Sequence, residues 1–235
     1  MGLGDLISLL TTIPARGSRE GAAGWFFAAP LVGLLEGLIV SLVGLALRAW
    51  PLISSACMVL AHVALTGGMH LDGTADYADV IGSHRRGQDA LKVLKDPRRG
   101  SYGIVAVVVV LLTRYSSLYY LTSHPLAVVA SYVVGMEGAY LTSLLGSVEP
   151  YEGMARLIEL ESRRRTKIFL NVVTMCLAFG MLSYVQPRVL LELSALAVPL
   201  IVTADSNRRL GFVNGDVIGF SIELDETLAL LVAVI

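Results

Sequence analysis

Three carboxylates, Asp72, Asp76 and Asp79, fall at i, i+4 and i+7 within the stretch Thr66 to Asp79, between two long apolar runs. At about 100° per residue these positions occupy one narrow face of an α-helix. Like charges that close repel one another unless a cation sits among them. Oxygen-only donors suit a hard cation such as Mg²⁺ or Mn²⁺ better than zinc. Gly73, Thr74 and Ala75 between the acids are small enough to let a phosphate approach the backbone. Asp72, Asp76 and Asp79 therefore read as a metal site at a membrane surface, built to handle phosphate.

Further polar groups support such chemistry. The run Lys92 to Gly103 contains Arg98 and Arg99, whose planar guanidinium forks match phosphate oxygens. Gly100, Ser101 and Gly103 offer backbone N–H groups where an apolar helix is expected to begin. Asp96 reads as a further ligand or as a general base. A basic loop touching anionic headgroups would have the same composition. Asn214-Gly215-Asp216 precedes an apolar run that carries Glu223, Asp225 and Glu226. Glu36, His62, Arg114 and Glu137 lie inside other apolar runs. A charged side chain facing lipid at mid-bilayer costs about 2.5–3.5 kcal/mol, so these should face the bundle interior. Arg114 is expected to pair with Glu137 or Glu36, and His62 to be a hydrogen-bonded interior residue and not a ligand.

The elements that must position these groups are membrane helices. Of 235 residues, 55% are hydrophobic and 16% charged, against about 25% charged in soluble domains; the mean hydropathy is +0.70. The expected fold is all-α, a polytopic transmembrane bundle of about seven spans in one domain, residues 1–235. The spans read as Phe26–Leu47, Leu52–Leu65, Gly103–Leu121, Leu126–Leu145, Ile168–Val185, Val189–Thr203 and Val217–Ile235, the last weakened by its acids. Residues 1–24 form an interfacial segment in which Leu3–Leu10 is too short to span and Pro14–Gly24 reads as a surface loop. Arg16 and Arg19 follow that apolar patch, the reverse of the order in a signal peptide. Residues 66–102 form the catalytic loop, and Ser147–Lys167 a mixed-charge loop. Cys57 and Cys176 fall in apolar runs and read as small buried hydrophobes without a disulfide.

Sidedness follows from the cations. Fifteen of the 18 Lys and Arg fall in residues 1–24, 70–102, 147–167 and 205–216, and two, Arg48 and Arg188, on the opposite side. The positive-inside rule then places the N-terminus and the long polar loops in the cytoplasm and the C-terminus outside.

Gly67 through Asp79 follow the pattern Gly-Gly-x-His-Leu-Asp-Gly-x-Ala-Asp-x-x-Asp, and Lys95 through Gly103 follow Lys-Asp-x-Arg-x-Gly-x-x-Gly. With Pro30 to Leu34 and the Gly215-Asp216, Gly219, Glu223-Leu224-x-Glu226 block, they make the chain similar to the cobalamin 5′-phosphate synthase family (adenosylcobinamide-GDP ribazoletransferases). The family block usually reads Thr-Gly-Asp where this chain has Asn214-Gly215-Asp216. Glu36 takes a normally apolar position, and Tyr151 to Ala155 follow the family loosely. The resemblance implies transfer of α-ribazole, or its 5′-phosphate, onto adenosylcobinamide-GDP with release of GMP. It implies Mg²⁺ on Asp72, Asp76 and Asp79, catalytic roles for Asp96, Arg98 and Asp216, and substrate contacts from His70, Lys95, Arg99, Gly100, Ser101 and Asn214. The expected partners are those two substrates and the lipid bilayer, with no nucleic acid. The acidic core is also similar in style to CDP-alcohol phosphotransferases acting on lipids or other activated substrates. A cation-coupled transporter is disfavoured, because most acids sit at span ends and not at the midplane.

Overall fold

The computed structural model describes residues 2–15 and 17–235; Met1 and Arg16, one of the fifteen cations counted above, lie outside the described residues. In chain order the helices are α1 (Leu3–Leu10), α2 (Arg19–Trp25), α3 (Ala29–Ala46), α4 (Pro51–Thr66), α5 (Met69–Ser83), α6 (Gln88–Leu94), α7 (Ser101–Leu121), α8 (Pro125–Leu145), α9 (Met154–Ser162), α10 (Arg165–Val185), α11 (Ala197–Arg209) and α12 (Gly215–Val234). Short 3₁₀ stretches, Phe26–Ala28 and Pro187–Leu196, lead into α3 and α11. The described residues contain no strand, as an all-α fold requires.

Five segments are long and apolar enough to cross a membrane, or six when the bent pair α4–α5 is taken as one span. The expected seventh, α12, is 20 residues long, about 30 Å, but its acids keep it out of an apolarity count. It lies inside the bundle and packs on α5, α7 and α8. Helix α8 is also buried along nearly its whole length. The outer helices α7 and α10 expose apolar side chains instead, among them Val105, Val109, Leu112, Phe169, Leu177 and Met181. An apolar exterior around a core that holds carboxylates suits lipid as the surrounding medium, and the protein is a multi-pass membrane protein.

Several segments expected to be loops contain helix. Within Pro14–Gly24, α2 forms because the Ser18 hydroxyl accepts from the Gly21 N–H at 3.0 Å, a side-chain N-cap. Asp5 of α1 accepts from the backbone N–H of Gly2 and of Ser18, both at 2.6 Å. These bonds fasten α1 to the start of α2 and hold the Asp5 carboxyl below the usual range. The segment at residues 66–102, expected to be a catalytic loop, is largely α5 and α6, and the mixed-charge loop contains α9. The sixth span does not start as an α-helix at Val189: residues Pro187–Leu196 are 3₁₀. Cys176 is exposed and Cys57 half-buried, so neither is a fully buried hydrophobe, although both are free as expected.

The element that decides the site is the junction of α4 and α5. The two helices meet at 89°. Gly67 (φ 63°) and Gly68 (φ 72°) are both left-handed, a pair of conformations that glycine adopts without a Cβ clash. Thr12 secures the bend from outside: its N–H donates to Leu65 O at 2.6 Å and its hydroxyl to Ala64 O at 2.9 Å. These bonds satisfy carbonyls left open at the end of α4. The turn lays α5, with its row of acids, across the end of the bundle against α7 and α12.

Candidate active site at one end of the bundle

The i, i+4, i+7 acids do lie on one helix, at graded depth. Asp72 has a 60% exposed side chain and Asp76 a 16% exposed one. The guanidinium of Arg99 bridges both carboxylates. Asp72 and Asp76 therefore converge on a single cation position, which a hard metal ion would suit equally. Asp79 is turned elsewhere. Its oxygens accept from the N–H of Gly100 at 2.7 Å and of Gly103 at 2.9 Å, at the start of α7. A carboxylate there meets unpaired helix N–H groups and the positive end of the helix dipole. Asp79 thus joins α5 to α7: of the three expected ligands, Asp72 and Asp76 share the Arg99 guanidinium and Asp79 is bonded to backbone N–H groups.

Close approach makes this corner possible. A Cβ at Gly103 would lie 2.6 Å from Ala75 O, and one at Gly73 would lie 2.8 Å from Asp216 O. The missing side chain at Gly73 lets the first turn of α12 rest on α5 and brings Asp216 beside the acid row. Asp216 accepts from Asn214 Nδ2 at 2.9 Å, while Asn214 Oδ1 accepts from the Val217 N–H and caps α12.

Two clefts open on the acid row. One, of about 270 Å³, is lined by Asp76, Asp79, Asp96, Arg98, Gly100 and Ser101. The other, of about 330 Å³, is bounded by Asp72 and Asp216 but is otherwise mostly apolar. In the first, Asp96 and Arg98 form a two-pronged pair, Nε to Oδ1 at 3.0 Å and Nη2 to Oδ2 at 2.8 Å. The Arg98 side chain and its N–H hold the Asp96 carboxyl down at about 2. A carboxylate so engaged is a weak proton acceptor. Lys95 lies 4.8 Å from the centre of the Tyr151 ring and lines neither cleft. His70 is buried, with no hydrogen-bond partner on either ring nitrogen.

A second polar cluster lies deeper. His62 is 2.9 Å from Glu36 Oε1 through Nδ1 and 3.1 Å from Glu223 Oε1 through Nε2. Arg114 Nη2 lies 2.8 Å from Glu223 and donates to Glu226 at 2.9 Å. The expected pairing of Arg114 with Glu137 or Glu36 is thus corrected: α12 supplies the partners, and Glu137 instead accepts from Asn171 at 2.9 Å. The acids inside the last apolar run signalled that they needed a partner; only the packing of α7 on α12 shows which. Among the described residues, His62, Glu223 and Glu226 form the one trio of metal-type side chains whose ligand atoms lie within 4.8 Å of each other. Its charge is already balanced in part by Arg114, and it behaves as an interior ion-pair network. His62 is the hydrogen-bonded interior residue expected.

The fold and the site together define a polytopic helical membrane protein with carboxylates and arginines assembled at one end of its bundle. The profile of the Cobalamin-5-phosphate synthase family matches residues 2–234, and the chain belongs to that family. Relatives named adenosylcobinamide-GDP ribazoletransferase include one from Pseudomonas putida (strain W619), 34% identical with 86% of this chain and 84% of the relative covered. One from Klebsiella pneumoniae (strain 342) is 35% identical with 86% and 84% covered. One from Chlorobaculum tepidum is 30% identical with 99% and 94% covered. No solved structure matches the chain.

Proposed function

We propose that this protein is an adenosylcobinamide-GDP ribazoletransferase, a membrane phosphotransferase acting at the α5 acid row. A hydroxyl of α-ribazole, or of its 5′-phosphate, attacks the phosphorus on the cobinamide side of the pyrophosphate. The bond to the GMP phosphate breaks, GMP leaves, and a phosphodiester joins cobinamide to ribazole. The observation that carries this reading is the convergence of Asp72 and Asp76 on one cation, with Asp216 alongside, in a chain of this family. The names of the relatives favour it over a CDP-alcohol transferase.

Asp72 and Asp76 would hold Mg²⁺, with Asp79 fixing the α5–α7 corner behind them. The ion, when bound, neutralises pyrophosphate charge. Arg99, which bridges those carboxylates in the structure, would offer its planar fork to the non-bridging oxygens and steady the charge that builds up on transfer. Arg98 and Ser101 would meet the nucleotide side in the polar cleft, the N–H groups of Gly100 and Gly103 being taken by Asp79. Asp216 takes the hydroxyl proton, because Asp96 is already engaged by Arg98.

The test is turnover in detergent micelles or liposomes, with adenosylcobinamide-GDP, α-ribazole or its 5′-phosphate, and Mg²⁺. Release of GMP is expected only with both substrates, to disappear with EDTA and to return with excess Mg²⁺. GMP release that survives EDTA would remove the metal from the proposal; no release from folded protein would remove the activity.

The orientation proposed is cytoplasmic for the N-terminus and acid row, with the C-terminus outside. The bundle keeps these ends apart: Tyr120, His124, Gln186, Arg188 and the C-terminal Ile235 line one cavity at the far end. With Cys57 and Cys176 replaced by alanine, a Ser101→Cys variant should react with a membrane-impermeant maleimide in whole cells only after permeabilisation. Labelling of intact cells would reverse the topology.

A further inference from the structure

The apolar cleft has no counterpart in the chemistry of phosphoryl transfer. Its wall is built from α1, the 3₁₀ turn before α3, α9 and α12, through Leu10, Phe26, Met154, Ile158 and Ile222. It opens on Asp72 and Asp216. Its volume of about 330 Å³ falls in the range of roughly 300–1,000 Å³ found for small-molecule sites. His70 is the one ring among the polar side chains of that wall, beside Asp72 and Asp216. His70 lines the cleft, is 4% exposed and has both ring nitrogens unpartnered. A buried donor or acceptor without a partner carries an unrecovered desolvation cost and is an outlier among native side chains.

The position of the cleft limits what it holds. An in-line transfer sets the attacking and leaving oxygens on opposite sides of the phosphorus. The polar cleft, walled by α6, α7 and the Asp96–Arg98 pair, lies on the Asp76 and Asp79 side of the acid row. The apolar cleft lies on the Asp72 and Asp216 side. The first carries Arg98 against Asp76, Asp79 and Asp96, so it would take a guanosine phosphate together with a divalent cation that offsets its carboxylates. The second suits an apolar ring that brings a hydrogen-bond partner for His70, next to the acid assigned the hydroxyl proton.

Resting on the function proposed above, we infer that this cleft seats the heterocyclic base of the acceptor nucleoside, with His70 donating a hydrogen bond to the free ring nitrogen. The benzimidazole of ribazole has that chemistry: a planar bicycle whose one nitrogen not bound to the sugar accepts a hydrogen bond. Helices α1 and α9, too short to span, thereby gain a role as the apolar walls of a specificity pocket. The preference for one heterocyclic base over another is set by Leu10, Phe26, Met154 and Ile158, and not by the acid row.

Equilibrium binding to the full-length protein in micelles separates this inference from the proposed reaction. The probes are α-ribazole, the base-free methyl riboside and GDP, against wild type, His70→Phe, His70→Gln and Met154→Trp. Met154 is half-buried at the start of α9, so the larger ring fills the cleft with little disturbance of the core. α-Ribazole is expected to bind wild type at least tenfold more tightly than methyl riboside. His70→Phe should weaken α-ribazole about tenfold, the effect of losing a buried hydrogen bond. His70→Gln, which keeps an N–H donor, should stay within threefold, and Met154→Trp should lose tenfold or more. GDP affinity should be unchanged throughout. The inference is overturned if α-ribazole binds no better than methyl riboside, if neither His70→Phe nor Met154→Trp affects it, or if GDP affinity falls in parallel. GMP release with ribazole binding indifferent to both substitutions would sink the cleft assignment alone. His70-dependent ribazole binding without GMP release would sink the proposed reaction alone.

Discussion

Replacing Asp76 by Asn is expected to lower GMP release about a hundred- to a thousandfold, the scale seen when one preorganised stabilising group is taken from a transition-state site. Asp76 is the deeper of the two carboxylates that share one cation with Arg99. The amide keeps the shape of the side chain and removes its charge. A divalent ion then has Asp72 alone, with its 60% exposed side chain, and a single exposed carboxylate holds Mg²⁺ weakly. Folding should survive, because Asp79 and not Asp76 ties α5 to the start of α7. The check is the initial rate of GMP release at saturating Mg²⁺, beside a thermal melt of the same preparation. Turnover near the wild-type rate would dismiss the metal assignment. A melt lowered as much as the activity would make Asp76 a folding residue.

Arg114→Leu should have the opposite signature, a protein that fails to accumulate. Arg114 is 0% exposed and touches Glu223 and Glu226, also 0% exposed, while Glu36 and His62 complete the cluster. Removing one member of a buried ion pair costs about 3–5 kcal/mol, because the remaining charge is left without a partner. Here three carboxylates would keep only His62. Against a typical folding stability of about 5–15 kcal/mol that loss is large. Membrane-inserted yield and the melting temperature in detergent are the measurements. Wild-type values in both would show that the cluster does not depend on Arg114. A Glu223→Gln, Glu226→Gln, Arg114→Met triple variant should recover much of the loss, since neutral side chains of similar volume carry no desolvated charge.

The two variants separate what could be read along the chain from what could not. The helical membrane class was legible because it depends on composition: long apolar runs with few charges must satisfy their backbone internally, and helices do so. The acid row was legible because i, i+4 and i+7 is a property of helix geometry alone, and α5 does hold Asp72, Asp76 and Asp79 on one side. Polar segments were harder. Helices α2, α6 and α9 are short and amphipathic or charged, and their stability comes from packing on the bundle end more than from local sequence.

Interactions between distant segments belonged to the tertiary structure. Asp79 and Asp76 are three residues apart and alike in type, yet one caps α7 and the other faces Arg99. That division follows from where α7 begins against α5. Arg114 lies 112 positions from Glu226, and nothing in the spacing of the chain selects that partner over Glu137. The cleft around His70 likewise gathers walls from α1, α9 and α12. The sequence by itself determined the class of the protein, its long apolar helices and the helix face that carries the acids, because these rest on local periodicity and composition. The tertiary structure alone decided which acids share a cation, which bond to backbone, which neutralise a buried arginine and where an apolar cleft opens beside the acid row. Each of those depends on long-range packing, set by the right-angle bend at Gly67-Gly68 and by the burial of α12.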